Sequence, residues 1–359
     1  MIQRLDSIQL PDHGGDLVWA SDTFHRPIHE WVDLSTGISP WAYPVPNVPP
    51  ETWQPLPYQQ QPLLDAAAHY YQCPYTHVLP VAGSQCAIDA IPQTLKKSCV
   101  AIPLTGYQEH AKSWEKSGHQ VIHYDDPEQL QCLLAQKKIH HIVIINPNNP
   151  TAEYWSMSAL LALHSQLSSQ QKLIVDEAFM DLDEQHSLRS YIGRDTAFDN
   201  IIVLRSVGKF FGVAGVRLGF VLSASSYLSL LQQVIPLWQV SNIALWLGEK
   251  ILLDDEWQQL QCKRIYQRQQ KMCVVLSTIF KHYSLQQAGL FTTLIGDQAE
   301  VYSQFMTAAE AGVLLRYGDC KIANAYGTEE SHQEARRAWL RIGLPKDEHY
   351  SRVEEFFGR

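Results

Sequence analysis

Four short segments carry the residues with the clearest chemical potential, and each follows a predicted strand. They are Gly83-Ser84-Gln85, Asn146-Pro147-Asn148-Asn149-Pro150-Thr151, Asp176-Glu177-Ala178-Phe179, and Ser206-Val207-Gly208-Lys209 with Arg217 eight residues further on. Each segment alone has an ordinary explanation as a turn, a helix cap, an ion pair or a solvated lysine. Together they supply an amine, a carboxylate, an amide and an anion-binding helix start.

These groups match the binding requirements of one cofactor, pyridoxal 5'-phosphate. Lys209 lies in a nearly apolar stretch, and burial there would lower the pKa of its amine and allow it to form a Schiff base. Asp176 would keep a pyridine nitrogen protonated, and the amide of Asn149 would donate to a phenolic oxygen. A phosphate dianion would be bound by the helix start and by Ser84, Ser206 and Arg217.

The segments need a scaffold that brings strand ends together. Short β-branched runs alternate with helix-length segments, and several runs are apolar on both faces, as buried parallel strands are. The predicted strands are Val78–Val81, Val100–Leu104, Gln120–Tyr124, His141–Ile145, Lys172–Val175, Ile201–Leu204 and Gly219–Leu222. This pattern predicts an α/β fold, in which loops at the carboxyl ends of the strands build the ligand site.

Composition excludes several other classes of protein. The chain has 359 residues, a net charge of −9 and 18% charged residues, with 45% hydrophobic residues. This balance argues against disorder and against a nucleic-acid binder, which needs a basic face. No apolar run is long enough to span a membrane, and seven scattered cysteines predict no disulfide framework, so we expect a cytoplasmic protein. Pro27 separates His25 from His29, and we predict no metal site.

The chain divides into three predicted parts. Residues 1–60 are rich in Pro and Trp and are expected to form an extended arm that contributes to the active site. Residues 61–245 carry a helix near Pro62–Tyr71 and the strands, and form a large cofactor domain. Residues 246–359 form a small α+β domain, with strands expected at Leu290–Leu294, Gly312–Arg316 and Trp339–Gly343.

The order of these motifs resembles the fold-type-I, aspartate-aminotransferase-like family, whose fold has a mostly parallel sheet in a large domain and a small α+β C-terminal domain. The resemblance rests on LPVAGSQCAI, INPNNPT, LIVDEAFMD, VLRSVGKFFGVAGVRLGFVL and LRIGLP. Within the family, DHGGDL and DLSTGISPW are similar to the threonine-phosphate decarboxylases of cobalamin biosynthesis. Histidinol-phosphate aminotransferases share most of the same motifs.

The resemblance implies a role for each matching residue. Lys209 would be the Schiff-base lysine and proton shuttle, Asp176 would pair with the pyridine nitrogen, and Asn149 with the phenolic oxygen. A ring after the second strand would stack on the cofactor, with His110 the preferred match and Tyr107 the next. The phosphate would be held by Gly83, Ser84, Gln85, Ser206 and Arg217, and the substrate by Arg341, Arg316, His13 and Gly37.

Three positions depart from the family pattern. Phe179 stands where aminotransferases often carry a tyrosine, which mildly favours the decarboxylases. Tyr58 lies near the place of a tyrosine that reaches the neighbouring subunit's phosphate, and the family is expected to be dimeric. Gly37 and Ser39 replace asparagines that approach the substrate in the decarboxylases.

The resemblance implies decarboxylation of O-phospho-L-threonine to (R)-1-amino-2-propanol O-2-phosphate. The main alternative is a histidinol-phosphate-type aminotransferase, because the bond held perpendicular to the cofactor ring decides which reaction follows. A ligand-sensing regulator on the same fold is a third possibility. It is disfavoured because such regulators carry a DNA-binding domain, for which the acidic chain has no room ahead of His13.

Overall fold

A computed structural model describes residues 8–320 and 337–358 of the chain. Its helices are α1 Leu17–Phe24, α2 Gln61–Tyr71, α3 Ser84–Ala90, α4 Glu109–Lys116, α5 Pro127–Ala135, α6 Met157–His164, α7 Val207–Phe210, α8 Ser225–Gln232, α9 Asn242–Leu253, α10 Asp255–Ile279, α11 Gln298–Glu310 and α12 Asp347–Gly358. Its strands are β1 Val32–Asp33, β2 Val78–Val81, β3 Cys99–Pro103, β4 Gln120–Tyr124, β5 His141–Ile145, β6 Leu173–Asp176, β7 Ile201–Ser206, β8 Gly219–Leu222, β9 Ser284–Gln287, β10 Phe291–Asp297, β11 Val313–Leu314, β12 Arg316–Asp319 and β13 Arg337–Gly343. Among the described residues, no helix is long and apolar enough to cross a membrane.

The central sheet has the strand order β2-β8-β7-β6-β5-β3-β4. Strands β7, β6, β5, β3 and β4 run parallel, and β8 is antiparallel to both of its neighbours. Successive side chains of β5 enter opposite cores, with Ile142 and Ile144 on one side and Val143 on the other. Burial on both faces explains why these strands are apolar runs, and it confirms the predicted mostly parallel α/β sheet.

The strands of this sheet lie within one or two residues of their predicted positions, and the differences concern the chemistry. Strand β6 extends to Asp176 because this residue pairs with Leu204 of β7. Strand β7 extends to Ser206 because this residue pairs with Gly219 of β8. Both residues therefore lie at the ends of rigid strands. The sheet fixes their backbone positions more tightly than a loop would.

The small domain contains an antiparallel sheet with the order β12-β13-β10-β9. The predicted strand Gly312–Arg316 is in fact two short strands, β11 and β12, which belong to different sheets. β11 pairs in parallel with β1, through Val32 opposite Val313. Part of the Pro/Trp-rich segment thus packs with the small domain, and α1 within it is regular helix.

The structure bears on the division at residues 245 and 246, which falls inside α9. This helix packs against α2 of the large domain. A Cβ at Gly248 would lie 2.5 Å from Leu218 and 2.7 Å from Leu63, so the helix approaches the large domain closely. Residues on both sides of the predicted division therefore belong to one helix, and the division itself stays a prediction.

Candidate functional site

A cavity of about 670 Å³ lies between the central sheet and the small sheet. Loops that follow the central strands contribute Gly106, Tyr107, Asn149 and Lys209, and the small sheet contributes Arg316, Gly318, Trp339 and Arg341. The N-terminal segment contributes Pro11, Asp12, His13, Gly14, Thr36 and Gly37. The structure therefore gathers into one cavity several of the residues expected to bind cofactor and substrate.

Lys209 is held by the short helix α7, directly after β7. Its neighbours Gly208 and Phe210 are buried, and its carbonyl accepts a hydrogen bond from the Ser39 amide at 2.9 Å. Burial lowers the pKa of the Lys209 amine to about 8, the positive charge of Arg341 adds to this effect, and Asp176 opposes it. Such an amine has a substantial neutral fraction near neutral pH, as a nucleophile requires.

Asp176 is a buried carboxylate with fixed partners. Its Oδ2 lies 2.9 Å from Nε2 of His110, and its Oδ1 accepts a hydrogen bond from the Ala178 amide at 3.0 Å. The side chains of His110 and Asp176 are 2% and 5% exposed. The carboxylate is thus oriented by two donors at the end of β6, when His110 carries its proton on Nε2.

The two aromatic residues after β3 that are candidates for stacking on the cofactor lie in different surroundings. His110, the preferred stacking ring, is buried against Asp176, whereas Tyr107 lines the cavity. The hydroxyl of Tyr107 donates to Oε1 of Gln85 at 3.0 Å. Because the first turn of α4 points His110 inward, the geometry favours Tyr107 as the ring facing a cofactor.

Two glycines beside the start of α3 allow groups that could bind an anion to approach one another closely. A Cβ at Gly83 would lie 2.5 Å from Nη2 of Arg217, and a Cβ at Gly219 would lie 2.6 Å from the backbone nitrogen of Ser84. Ser206 is directly opposite Gly219 on the neighbouring strand. Because these glycines have no side chains, the Arg217 guanidinium and the Ser84 backbone nitrogen can approach the glycine backbones closely, and such a set of donors fits a phosphate group.

Arg341 projects from β13 into the cavity and is 7% exposed. Its guanidinium donates to Oδ1 of Asn149 and, at 2.6 Å, to the carbonyl oxygen of Ser35. Its Nε is buried and has no hydrogen-bond partner among the described residues. Burial lowers the pKa of Arg341 to about 10, with Arg316 adding to the effect, so the site has unused capacity for an anion.

Arg316 stands directly opposite Arg341 on the neighbouring strand β12. It donates to the carbonyl oxygens of Pro11 (2.5 Å) and Asp12 in the N-terminal segment. His13 follows them, with its ring 6.0 Å from that of Tyr107 and its Nε2 3.6 Å from Oε1 of Glu109. Arg316 thereby fixes the N-terminal segment along the cavity.

Ser39 and Tyr58, which the sequence also singled out, lie in two different environments. Ser39, next to Lys209 in the fold, accepts a hydrogen bond from the Gln261 amide through its Oγ at 2.6 Å. Tyr58 is 71% exposed, and its ring contacts that of Trp238 edge to face at 5.7 Å. Within the described residues of one chain, Tyr58 therefore packs against Trp238 on the surface.

Sequence reasoning missed three residues that shape the site. Gly219 allows the backbone of Ser84 to approach β8 closely, and its signal was a glycine at the start of a buried strand, which often marks a close approach. Ser35 contributes a backbone carbonyl to Arg341, and no side-chain pattern announces such a contact. Phe291 was included only in a predicted core strand, because an aromatic residue there is an ordinary core residue.

Comparison with protein-family models identifies residues 54–353 as matching aminotransferase class I and II. A threonine-phosphate decarboxylase of Pseudomonas aeruginosa is 34% identical over 341 residues, which cover 94% of each chain. Another from a Sinorhizobium species is 36% identical and covers 68% of this chain and 72% of the relative. A histidinol-phosphate aminotransferase of Colwellia psychrerythraea is 26% identical and covers 55% and 58%.

Among solved structures, the histidinol-phosphate aminotransferase of Sinorhizobium meliloti in complex with pyridoxal-5'-phosphate has the same fold. The match has a TM-score of 0.80 at 16% identity, and covers 99% of this chain and 96% of that one. At this identity the likeness concerns the fold.

Proposed function

The chain belongs to the aminotransferase class I and II family, whose cofactor is pyridoxal 5'-phosphate, and we propose that it decarboxylates O-phospho-L-threonine. The product is (R)-1-amino-2-propanol O-2-phosphate, the linker precursor of cobalamin. The likeness to two threonine-phosphate decarboxylases, one of them along 94% of both chains, supports this choice. We also propose that the protein is cytoplasmic, as its scattered cysteines suggest.

One geometric observation carries the proposal: Arg316 and Arg341 face the same cavity as Lys209. O-Phospho-L-threonine carries a carboxylate and a phosphate, and its amine must reach the cofactor. Two guanidinium groups supply cations for the two anions, with His13 as a further donor at the rim. Arg341 lies beside Asn149 and Arg316 beside the N-terminal segment. We assign the carboxylate to Arg341, as in the family, and the phosphate to Arg316 and His13.

The residues around the cofactor site divide its binding among them. The donors around Gly83 and Gly219, with Ser206 and Arg217, would hold the phosphate, and Gln85 orients Tyr107. Asp176, oriented by His110, would hold a proton on the pyridine nitrogen, and Tyr107 would cover the ring. The amide nitrogen of Asn149 would donate to the phenolic oxygen while its Oδ1 accepts from Arg341.

When bound, pyridoxal phosphate accepts the electron pair released by bond cleavage at the α carbon of the amino acid. Loss of carbon dioxide breaks the bond between the α carbon and the carboxyl carbon, and a proton must then reach the α carbon. Lys209 is the proposed donor, since its pKa of about 8 lets it hold and release a proton near neutral pH. Arg341 and Arg316 orient the substrate so that its carboxylate is the group cleaved.

A histidinol-phosphate-type aminotransferase is the second candidate, because such enzymes share the same motifs and one is 26% identical over 213 residues. The two reactions use the same cofactor-binding groups and differ in the orientation of the substrate. Phe179, which lacks the hydroxyl that a tyrosine would present, favours the decarboxylase.

The test is to incubate the purified protein with pyridoxal phosphate and O-phospho-L-threonine, and to measure carbon dioxide and the amine product. We expect both to appear without any keto-acid acceptor. Turnover of histidinol phosphate that requires 2-oxoglutarate, with no release of carbon dioxide from O-phospho-L-threonine, would contradict the proposal and support the aminotransferase.

We also propose that the enzyme acts as a homodimer. Tyr58 and Trp238 contact each other on the surface, and Trp53, Leu56 and Leu237 around them are 64%, 52% and 74% exposed. Exposed apolar side chains in such number are characteristic of a protein–protein interface. In the family, a tyrosine at a position near that of Tyr58 reaches the cofactor phosphate of the neighbouring subunit.

A further inference from the structure

Two phenylalanine rings connect Lys209 to Arg341 through direct contacts. Phe179 follows β6 in the large domain, and Phe291 begins β10 in the small sheet. Their ring centroids are 5.1 Å apart with the planes at 80°, an edge-to-face arrangement. We refer to Phe179 and Phe291 as the ring pair.

Each ring of the pair contacts one of the two cations. Nζ of Lys209 lies 5.3 Å from the centroid of the Phe179 ring, and the guanidinium carbon of Arg341 lies 5.3 Å from that of Phe291. The rings are 6% and 0% exposed, so they form a buried apolar wall along one side of both cations. The amine and the guanidinium are therefore joined by a continuous series of packed groups.

Gly37 completes this arrangement by having no side chain. A Cβ at Gly37 would lie 2.6 Å from Cε1 of Phe179 and 3.3 Å from Cδ1 of Phe291. Its φ is outside the left-handed region, so an alanine there would be strained only by the rings. The N-terminal segment thus closes on the ring pair at a position where only glycine leaves the rings in place.

We propose that the ring pair is a positioning element, which holds the Lys209 amine at a fixed separation from the Arg341 guanidinium and shields one side of the amine from water. The inference rests on the proposed function only in taking Lys209 as the reacting amine. Neither ring takes part in bond making or breaking.

The shielding and the cation–π contact act on the amine in opposite directions. Burial disfavours the charged amine, whereas the face of an aromatic ring attracts it. Burial is the main cause of the lowered pKa of Lys209, which is about 8. Removing or displacing Phe179 admits water beside the amine, and its pKa is then expected to rise towards the ordinary value of 10.5.

The distance between the Lys209 amine and the Arg341 guanidinium also affects the reaction. The substrate is bound at its carboxylate end by Arg341, while Lys209 must reach the neighbouring α carbon. A packed wall between the two groups limits the positions that the α carbon can take relative to the amine. A displaced ring is expected to lower kcat more than it raises KM, since binding of the anions continues and the placement of the amine is lost.

The test compares Gly37→Ala, Phe179→Ala and the double variant as full-length proteins freed of cofactor. Trace acetic anhydride labels the neutral amine, and peptide mass spectrometry gives the labelling rate of Lys209 as a function of pH. We expect the midpoint to rise by at least one pH unit in each single variant, which makes labelling at pH 8 about fivefold slower. In the Phe179→Ala background, Gly37→Ala is expected to add nothing, because the ring that it displaces is gone.

Two matched controls separate this effect from a general loss of packing. Gly358→Ala adds a methyl group where no atom lies within 4 Å, and Phe280→Ala removes a buried ring that contacts Phe357 in the C-terminal region. Both are expected to keep the midpoint near 8. If Phe179→Ala does not fold, Phe179→Leu replaces it, with a smaller shift expected in the same direction.

An unchanged midpoint in both single variants would overturn the proposal. So would a Gly37→Ala shift that persists in full when Phe179 is absent. Failure of the proposed function has different signatures: O-phospho-L-threonine would release no carbon dioxide, and if Lys209 were not the reacting amine, borohydride would attach no pyridoxal phosphate to it in the wild-type protein, whatever the labelling midpoints are.

Discussion

Arg316 and Arg341 stand directly opposite each other on adjacent antiparallel strands, and both guanidinium groups line the cavity that contains Lys209. Like charges at such a cross-strand position destabilise a sheet. Burial lowers the pKa of both arginines, although each is hydrogen-bonded to backbone carbonyls. Two like charges held together at this position would attract the two anions of the proposed substrate.

Replacing each arginine in turn is expected to show which of the two substrate anions it binds. Loss of a charge-assisted hydrogen bond worth about 1.5–3 kcal/mol predicts a roughly 10- to 150-fold lower kcat/KM for Arg341→Gln and for Arg316→Gln. The measurement compares O-phospho-L-threonine with L-threonine. Arg316→Gln should lose most of the preference for the phosphorylated substrate, whereas Arg341→Gln should impair both. Arg264→Gln, at an exposed position of α10, is the control.

Lys209 is expected to be the residue that binds the cofactor covalently. Borohydride treatment of the holoenzyme, followed by peptide mass spectrometry, should find the reduced cofactor on Lys209, and Lys209→Ala should lose it together with activity. Attachment to another lysine would contradict the assignment.

The pH dependence of cofactor capture follows from the lowered pKa of Lys209. Since the neutral amine reacts, the capture rate of the cofactor-free protein should rise with pH and level off above about 8, well below the ordinary 10.5. Between these two pH values the Lys209 amine is protonated in the unfolded chain and mostly neutral in the folded protein. The contribution of Lys209 to stability therefore rises with pH over this range. A capture rate that is still rising steeply at pH 10 would contradict the lowered pKa.

Tyr107 and His110 are expected to affect cofactor binding in different ways. Tyr107→Leu removes the ring that lines the cavity and should weaken binding of pyridoxal phosphate, measured by equilibrium dialysis, about 5- to 10-fold. His110→Phe removes a donor to the buried Asp176 carboxylate, which costs about 1–3 kcal/mol and should appear mainly as a lower kcat. His110→Gln, which can still donate, should recover part of it. The reverse pattern would restore His110 as the stacking ring.

Arg205 is expected to be essential for stability. It is fully buried and pairs with the carboxylates of Glu177, Asp181 and Glu184. Arg205→Met removes the arginine partner of Glu177 and Asp181, whereas Glu184 keeps Arg189, and should lower the free energy of unfolding in urea by about 3–5 kcal/mol. Arg194→Met, at an exposed arginine beside Tyr191, should change it by less than about 0.5 kcal/mol. Equal effects would show that the buried network contributes little.

The proposed dimer predicts a particle of about twice the 40.9 kDa chain mass in sedimentation equilibrium. Tyr58→Ala and Trp238→Ala together should weaken association, because they remove exposed apolar surface. A monomer that binds cofactor and turns over substrate at full rate would contradict the proposal.

From the sequence alone, the α/β class and the succession of buried strands along the chain could be predicted, and the structure confirms both. The roles of the cofactor-binding motifs stay predictions. Strands buried on both faces are apolar at every position, and a residue such as Asp176 or Lys209 stands out where such a run ends. Local spacing carried this information, so the strands of the central sheet were predicted to within one or two residues. The same local signals predict Gly83, Ser84 and Arg217 as phosphate-binding residues.

Only the tertiary structure decided which of these residues meet, and on which side. Tyr107 and His110 are three residues apart in one turn, and which ring faces the cavity depends on the packing of α4 against Asp176. Arg316 and Arg341 are separated by 24 intervening residues, yet strand register places them opposite each other. Gly37 reaches Phe179 from a distant part of the chain. Such contacts arise from chain closure over long separations, and no local pattern of residues records them.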